Sequence, residues 1–272
     1  MPELPEVETV KNTLKKLVLN KKILSVDVYH ENIIAFPSVE KFKEKIQNQI
    51  INDIKRRGKW LIFELDTHYL VSHLRMEGKY FLKNINEELV KHEHVVFKFD
   101  DQELRYHDTR KFGKMYLIEK EQLETSKPIN ELGLEPWDQH LTSNYLKEKY
   151  SHKNIPIKTV LLDQSIITGI GNIYADEILF KCRINPLIKP KDLSDEQLCK
   201  IIKYTQETLE EAIKLGGTTI KSYESAKGVH GLFQNKLLVH SRAGEKCPNC
   251  DEIIIKIPVN GRSTYYCKKC QK

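Results

Sequence analysis

The chain has 272 residues, with 44 Lys+Arg against 38 Asp+Glu for a formal net charge of +6, and is 40% hydrophobic and 30% charged. That length allows one large or two ordinary domains and excludes a small disulfide-stapled module. The composition excludes a disordered chain, and the frequent charges exclude a bilayer-spanning one. Pro2, Glu3 and Glu6 do not make the basic-then-apolar layout of a secretory signal, so a cytosolic chain with reduced cysteines is expected.

In chain order, Val7, Val10, Leu14 and Leu17 recur at helical spacing over residues 5–19, with Pro5 suited to a first turn and Glu6 and Glu8 to its positive end. Strand-like runs follow at 23–29, 60–65, 69–74, 95–99, 103–106 and 114–118. In the second of these, Leu61, Phe63 and Leu65 alternate with Trp60, Ile62 and Glu64, as a sheet with one more deeply buried face requires. A β-sandwich or barrel is therefore expected over 1–127. Turn residues mark 128–140 as a linker. Beyond it helices are expected at 144–150, 157–163, 172–181 and 195–215, the last opened by Ser194 and closed by Gly216 and Gly217. Cys182 and Cys199 fall inside these helices and read as small core residues.

The end of the chain is basic. Residues 241–272 carry seven Lys/Arg against three Asp/Glu, four of the six net positive charges. Cys247 and Cys250 form one CxxC pair and Cys267 and Cys270 another, with sixteen residues between them. This is the spacing of a four-thiolate zinc site, each pair supplying two corners of a tetrahedron across an apolar hairpin. A redox CxxC is the other reading of either pair alone. With every corner filled, one Zn2+ shapes a surface and takes no part in chemistry. Asn260-Gly261-Arg262 reads as the hairpin tip and offers Arg262 to a phosphate or groove, a bland solvated turn being the alternative.

Pro2 follows Met1 and is small, so removal of Met1 is expected to leave a proline amine. An α-amine has a reference pKa near 8 against about 10.4 for lysine, so a usable neutral fraction exists at physiological pH. A secondary amine attacking an aldehyde-level carbon gives a charged iminium directly. Glu3 and Glu6 stand nearby to move protons. A plain start followed by a helix cap is the alternative.

The run Met1-Pro2-Glu3-Leu4-Pro5-Glu6-Val7-Glu8 resembles the N-terminal signature of bacterial formamidopyrimidine-DNA glycosylases. The resemblance continues through Arg57-Gly58-Lys59, the stretch from His73 to Gly78, the stretch from Asp108 to Gly113, Gly169-Ile170-Gly171-Asn172 and the cysteine tail, and so spans the chain in order. It implies an α+β fold: an N-terminal β-sandwich with an N-terminal helix, a helical helix–two-turn–helix domain over 141–240, and a β-hairpin zinc finger over 241–272. It also implies a bifunctional glycosylase and apurinic-site lyase of base excision repair that removes 8-oxoguanine and formamidopyrimidines through an N-terminal proline Schiff base and β,δ-elimination. The expected partner is damaged double-stranded DNA and the expected state a monomer, without a membrane. The expected place is the bacterial cytoplasm, nucleoid-associated when on DNA. Endonuclease VIII-like enzymes for oxidised pyrimidines are the sister family, but these usually have glycine where Leu4 stands. A non-catalytic zinc-finger DNA-binding protein is the rival from another class.

By that resemblance Pro2 is the nucleophile, Glu3 the proton donor, Glu6 a supporting carboxylate and Lys59 a group near the damaged base and its phosphate. Extruding a base costs a few kcal/mol and leaves a hole. Met76, Arg110 and Phe112 match the side chains that fill it, although core burial is the better reading of Met76 and Phe112 considered alone. His73, Lys111, Asn172 and Arg262 match phosphate contacts, with Lys111 standing where arginine is frequent. Glu77, Thr218 and Thr219 are expected near the base; the last two lie in the segment from Gly216 to Gly231, which resembles a lid that closes over it, an ordinary long loop being the alternative.

Overall fold

The computed structural model describes residues 1–218 and 231–272. These fall into two compact units, one over residues 1–130 and one over 131–218 and 232–272. The first opens with helix α1 (Leu4–Val18), whose Val7, Val10, Leu14 and Val18 form one buried face. Strands β1 (Ser25–Val28) and β2 (Ile34–Phe36), helix α2 (Val39–Ile46), and strands β3 (Asp53–Arg57), β4 (Trp60–Glu64), β5 (His68–His73), β6 (Lys79–Asn84), β7 (Glu93–Lys98), β8 (Gln102–His107) and β9 (Lys114–Glu119) follow. They make a five-stranded sheet in the order β2-β9-β5-β4-β3 and a four-stranded sheet in the order β1-β7-β8-β6. All pairings are antiparallel except β2 with β9. The apolar faces of both sheets, α1 and α2 share one core through Ile54, Phe63, Leu70, Phe97, Leu104 and Phe42.

The expected alternation in β4 is present but shallow. Leu61 and Phe63 are 0% and 1% exposed, yet Trp60 and Ile62 on the opposite face are only 7% and 5%. The rings of His73 and Tyr116 cover Trp60, so this centrally placed strand is buried on both sides.

The second unit does not begin with a free linker. The Gly133 and Leu134 amides donate to the carbonyls of Gln164 and Ile166, and Leu134 bridges Ile167 in parallel, so the segment lies along the polypeptide between two helices. Those helices are α4 (Ile157–Leu161) and α5 (Asn172–Cys182), set between α3 (Ser143–Tyr150) and α6 (Asp195–Lys214). Helix α4 stops two residues short of expectation, because Leu162 and Asp163 close onto Thr159 and Val160 in i→i+3 turns. The α6 start is a capping box: Ser194 accepts from the Gln197 amide at 3.2 Å and donates its own amide to Oε1 of Gln197 at 2.9 Å. The chain ends in the hairpin β10 (Ile255–Val259) and β11 (Arg262–Tyr266), paired from Ile255 with Tyr266 to Val259 with Arg262. Cys182 is buried as expected, but Cys199 is exposed. The buried stripe of α6 runs through Leu198, Ile201, Thr205, Leu209 and Ala212, which leaves position 199 outside it.

Candidate active site

The start of α1 is closed by two carboxylates that cap one another. The Glu3 amide donates to Oε2 of Glu6 at 2.8 Å while the Glu3 side chain accepts from the Glu6 backbone, and each residue is 3% exposed. Half-buried Pro2 lies directly before this cap. One turn on, Glu8 accepts from Lys11 and from Nε of Arg56 at 2.9 Å, and Arg56 donates in turn to the Gly58 carbonyl at 2.9 Å. This strut ties α1 to the β3–β4 turn, where Lys59 is 5% exposed. Burial pushes the Glu8 carboxyl up, and the charges of Lys11 and Arg56 more than offset it, so it lies below the usual carboxylate range.

His73 faces Trp60 across the β4–β5 pairing, its ring 4.6 Å away edge-on. Its Nδ1 accepts from the Arg75 amide at 2.9 Å, so the neutral ring carries its proton on Nε2 as a donor suited to a phosphate oxygen. Burial, helped by the charges of Arg75 and Lys59, pushes its pKa down to about 3.

Two turns display the expected void-filling residues. Met76 is 37% exposed between β5 and β6, and Phe112 is 50% exposed between β8 and β9. Neither joins the core, the reading favoured for each alone. The Arg110 guanidinium lies 4.9 Å from the centre of the Phe112 ring. Lys111 is exposed beside them with φ of 58°. Glu77 accepts from the Thr109 hydroxyl, which joins the two turns.

In the second unit, the turn before α5 is held by one side chain. Gln164 donates to the carbonyls of Leu162 and Ile170 and accepts from the Gly169 amide, each within 2.8–2.9 Å. Gly169 has φ of 96°, a conformation open to glycine and strained for other residues. Asn172, first in α5, donates to the Ser263 carbonyl at 3.0 Å, and buried Lys158 donates to the same oxygen at 2.9 Å. Ser263 follows Arg262 in β11, so both side chains fix the backbone that presents this arginine. Lys158 also pairs with Asp176 at 2.6 Å, and Asp176 with Nδ1 of His240 at 2.7 Å. Glu177 accepts from three successive amides, those of Leu238, Val239 and His240. Thr218 is half-buried and Gly231 is buried, and the part of the expected lid between them, residues 219–230, lies outside the described residues.

The four sulfurs of Cys247, Cys250, Cys267 and Cys270 lie within 4.8 Å of one another, with Cys247 to Cys270 at 3.8 Å and Cys250 to Cys267 at 3.5 Å. A tetrahedron with Zn–S bonds of about 2.3 Å has edges of roughly 3.8 Å, so the four thiolates fit one structural zinc.

Residues 1–115 match the Formamidopyrimidine-DNA glycosylase N-terminal domain, 132–224 the Formamidopyrimidine-DNA glycosylase H2TH domain, and 244–272 the zinc finger found in FPG and IleRS. The chain is 47% identical to the Formamidopyrimidine-DNA glycosylase of Cytobacillus firmus, with 100% of each covered. The chain belongs to the formamidopyrimidine-DNA glycosylase family. Solved structures of Lactococcus lactis members agree. A mutant of that FPG in complex with a Fapy-dG containing DNA has a TM-score of 0.94 at 39% identity, with 100% of both chains covered. The wild-type protein with an oxidized pyrimidine containing DNA has a TM-score of 0.92 at 39% identity, also with 100% of both covered.

Arg56, Lys158, Asp176, Glu177 and His240 also brace the site residues and lie outside the motifs that carry the resemblance. A usable signal was the placement of Asp176 and Glu177 among the apolar residues of α5, where unpaired carboxylates are costly. Two outcomes are expected. The unfolded His73 ring titrates near 6.5 while the folded one stays neutral to about 3, so the unfolded state takes up the proton first as pH falls below 6.5 and stability falls with it. His73→Gln should flatten the drop in unfolding midpoint between pH 7 and pH 5, and an unchanged drop would contradict this. Cys250→Ser should lose stoichiometric zinc and weaken duplex binding; full zinc content and wild-type affinity would remove the scaffold role.

Proposed function

We propose that this chain removes 8-oxoguanine and formamidopyrimidines from duplex DNA with Pro2 as nucleophile and then cleaves the strand. Membership of the family makes it a DNA-formamidopyrimidine glycosylase of base excision repair with damaged DNA as its partner. The observation that carries the chemical reading is the buried Glu3–Glu6 cap beside Pro2.

With Met1 removed, the proline nitrogen attacks C1′ and the C1′–base bond breaks, the base leaving with the proton that the proline nitrogen gives up. Glu3 protonates the sugar ring oxygen, the ring opens, and a C1′ iminium forms on a nitrogen that has no hydrogen left to lose. This cation acidifies the C2′ proton; its loss expels the 3′ phosphate, and a second elimination expels the 5′ phosphate. Glu6 orients Glu3 through its amide, and Lys59 supplies a cation for the phosphate beside the lesion. Neutral His73, Lys111, Asn172 and Arg262 hold the backbone, where contact is dominated by phosphate charge. Met76, Arg110 and Phe112 take the place of the extruded nucleotide, and recognition of the base is assigned to Glu77, Thr218 and Thr219. The protein works as a cytoplasmic monomer, nucleoid-associated when on DNA.

A second substrate class is favoured by the Lactococcus lactis complex with an oxidized pyrimidine containing DNA. Incubation with borohydride should give a covalent adduct on an 8-oxoguanine:cytosine duplex, with excision faster than from a duplex carrying an oxidised pyrimidine. The reverse order would exchange the substrates. No adduct from protein lacking Met1 would leave a non-catalytic DNA-binding protein.

A further inference from the structure

Met76 on one side, and Arg110 with Phe112 on the other, ride on two separate sheet-to-sheet crossings. The first runs from β5 of the five-stranded sheet to β6 of the four-stranded sheet, and the second returns from β8 to β9. Nothing in the sequence requires the two to move together, but three contacts hold them: one shapes the second turn and two bind the turns to each other.

Asp108, 0% exposed, is the first fastening. Its Oδ1 accepts from the Arg110 amide at 3.0 Å and its Oδ2 from the Gly113 amide at 2.8 Å, so one carboxylate brackets the turn that displays Arg110 and Phe112. The Tyr106 hydroxyl is the second. It donates to Oδ2 of Asp108 at 3.4 Å, and a Cβ added at either Gly78 or Gly113 would collide with that same hydroxyl. The backbones of both turns are thus packed against one oxygen, in a space glycine alone fits. The third is the Thr109 hydroxyl donating to Glu77, directly between the residues at issue.

We infer that Asp108, Tyr106 and the Thr109–Glu77 bond are positioning devices that lock the two turns into a single preassembled wedge, so that Met76, Arg110 and Phe112 enter the duplex as one body. This rests on the reading of those three as void fillers. Preassembly matters because a wedge with independent parts would lose conformational freedom while the base is being unstacked.

The test compares single-turnover excision from an 8-oxoguanine:cytosine duplex with strand cleavage at a preformed abasic site, where extrusion of a stacked base is not required. A change that only weakened the fold would slow both. Thr109→Val removes one hydroxyl from an exposed residue of similar shape and should slow excision about threefold while leaving abasic cleavage alone; Thr109→Ser should restore the wild-type ratio. Asp108→Asn should shift the ratio in the same direction by about tenfold or more, since a charge-assisted acceptor is lost. In a double-mutant cycle, Glu77→Gln with Thr109→Val should shift the ratio no more than Glu77→Gln alone. Phe112→Ala is the control for the underlying reading. If Phe112→Ala alters the ratio while Thr109→Val and Asp108→Asn leave it unchanged, the lock is refuted and the wedge stands. If Phe112→Ala also leaves it unchanged, the wedge reading falls and the lock with it.

Discussion

The structure depends on a single constraint at its beginning: the first turn of α1, directly after Pro2, is closed by Glu3 and Glu6, each only 3% exposed. A helix start has amides without intrahelical partners, and here Glu3 and Glu6 satisfy two of them reciprocally. The same pair leaves two carboxylates at the positive end of the helix dipole, beside the residue proposed as nucleophile. Burial of Val7, Val10, Leu14 and Val18 fixes the helix along its length, and the Glu8–Arg56–Gly58 strut sets Lys59 relative to it. The cap therefore closes the helix with the same carboxylates to which the proposed chemistry assigns proton transfer.

Elsewhere the fold uses buried charge where shape has to be kept. The side chains of Arg105 and Glu93 are each 1% exposed, and Arg105 also pairs with Glu103 and donates to the carbonyls of Glu87 and Glu88. In the second unit Lys158, Asp176 and His240 form a comparable chain beneath the zinc hairpin. Such pairs are weak evidence for stability, because desolvation offsets much of their attraction, but each donor and acceptor has one satisfying geometry. The four thiolates add a further clamp on a hairpin whose Cys247 and Cys267 share a small core with Phe180 and Val239.

What the sequence made legible was local. Helix α1, the capped α6 and the two CxxC pairs are written in residues a few positions apart, and the structure has them within a residue or two of the expected places. The strands that escaped notice, β2, β3 and β6, lie at sheet edges, where one flank is unpaired and charge is tolerated; β3 reads Asp-Ile-Lys-Arg-Arg with Ile54 alone fully buried. Helix α2 escaped because eight residues give barely two turns of periodicity. Phe112 and Met76 look like core residues by composition, and only the resemblance placed them on exposed turns. Lys158 meets partners 18 and 105 positions away, and Asp176 meets His240 across 64, distances at which a single sequence carries no pairing signal.

The proposed chemistry turns on a single atom, the nitrogen of Pro2. Protein trapped on DNA by borohydride, digested with trypsin and sequenced by tandem mass spectrometry, should carry the sugar remnant on the peptide of residues 2–11, at the proline nitrogen, with Met1 absent. A remnant on Lys59 or any other lysine, or catalytically active protein that retains Met1, would contradict the account.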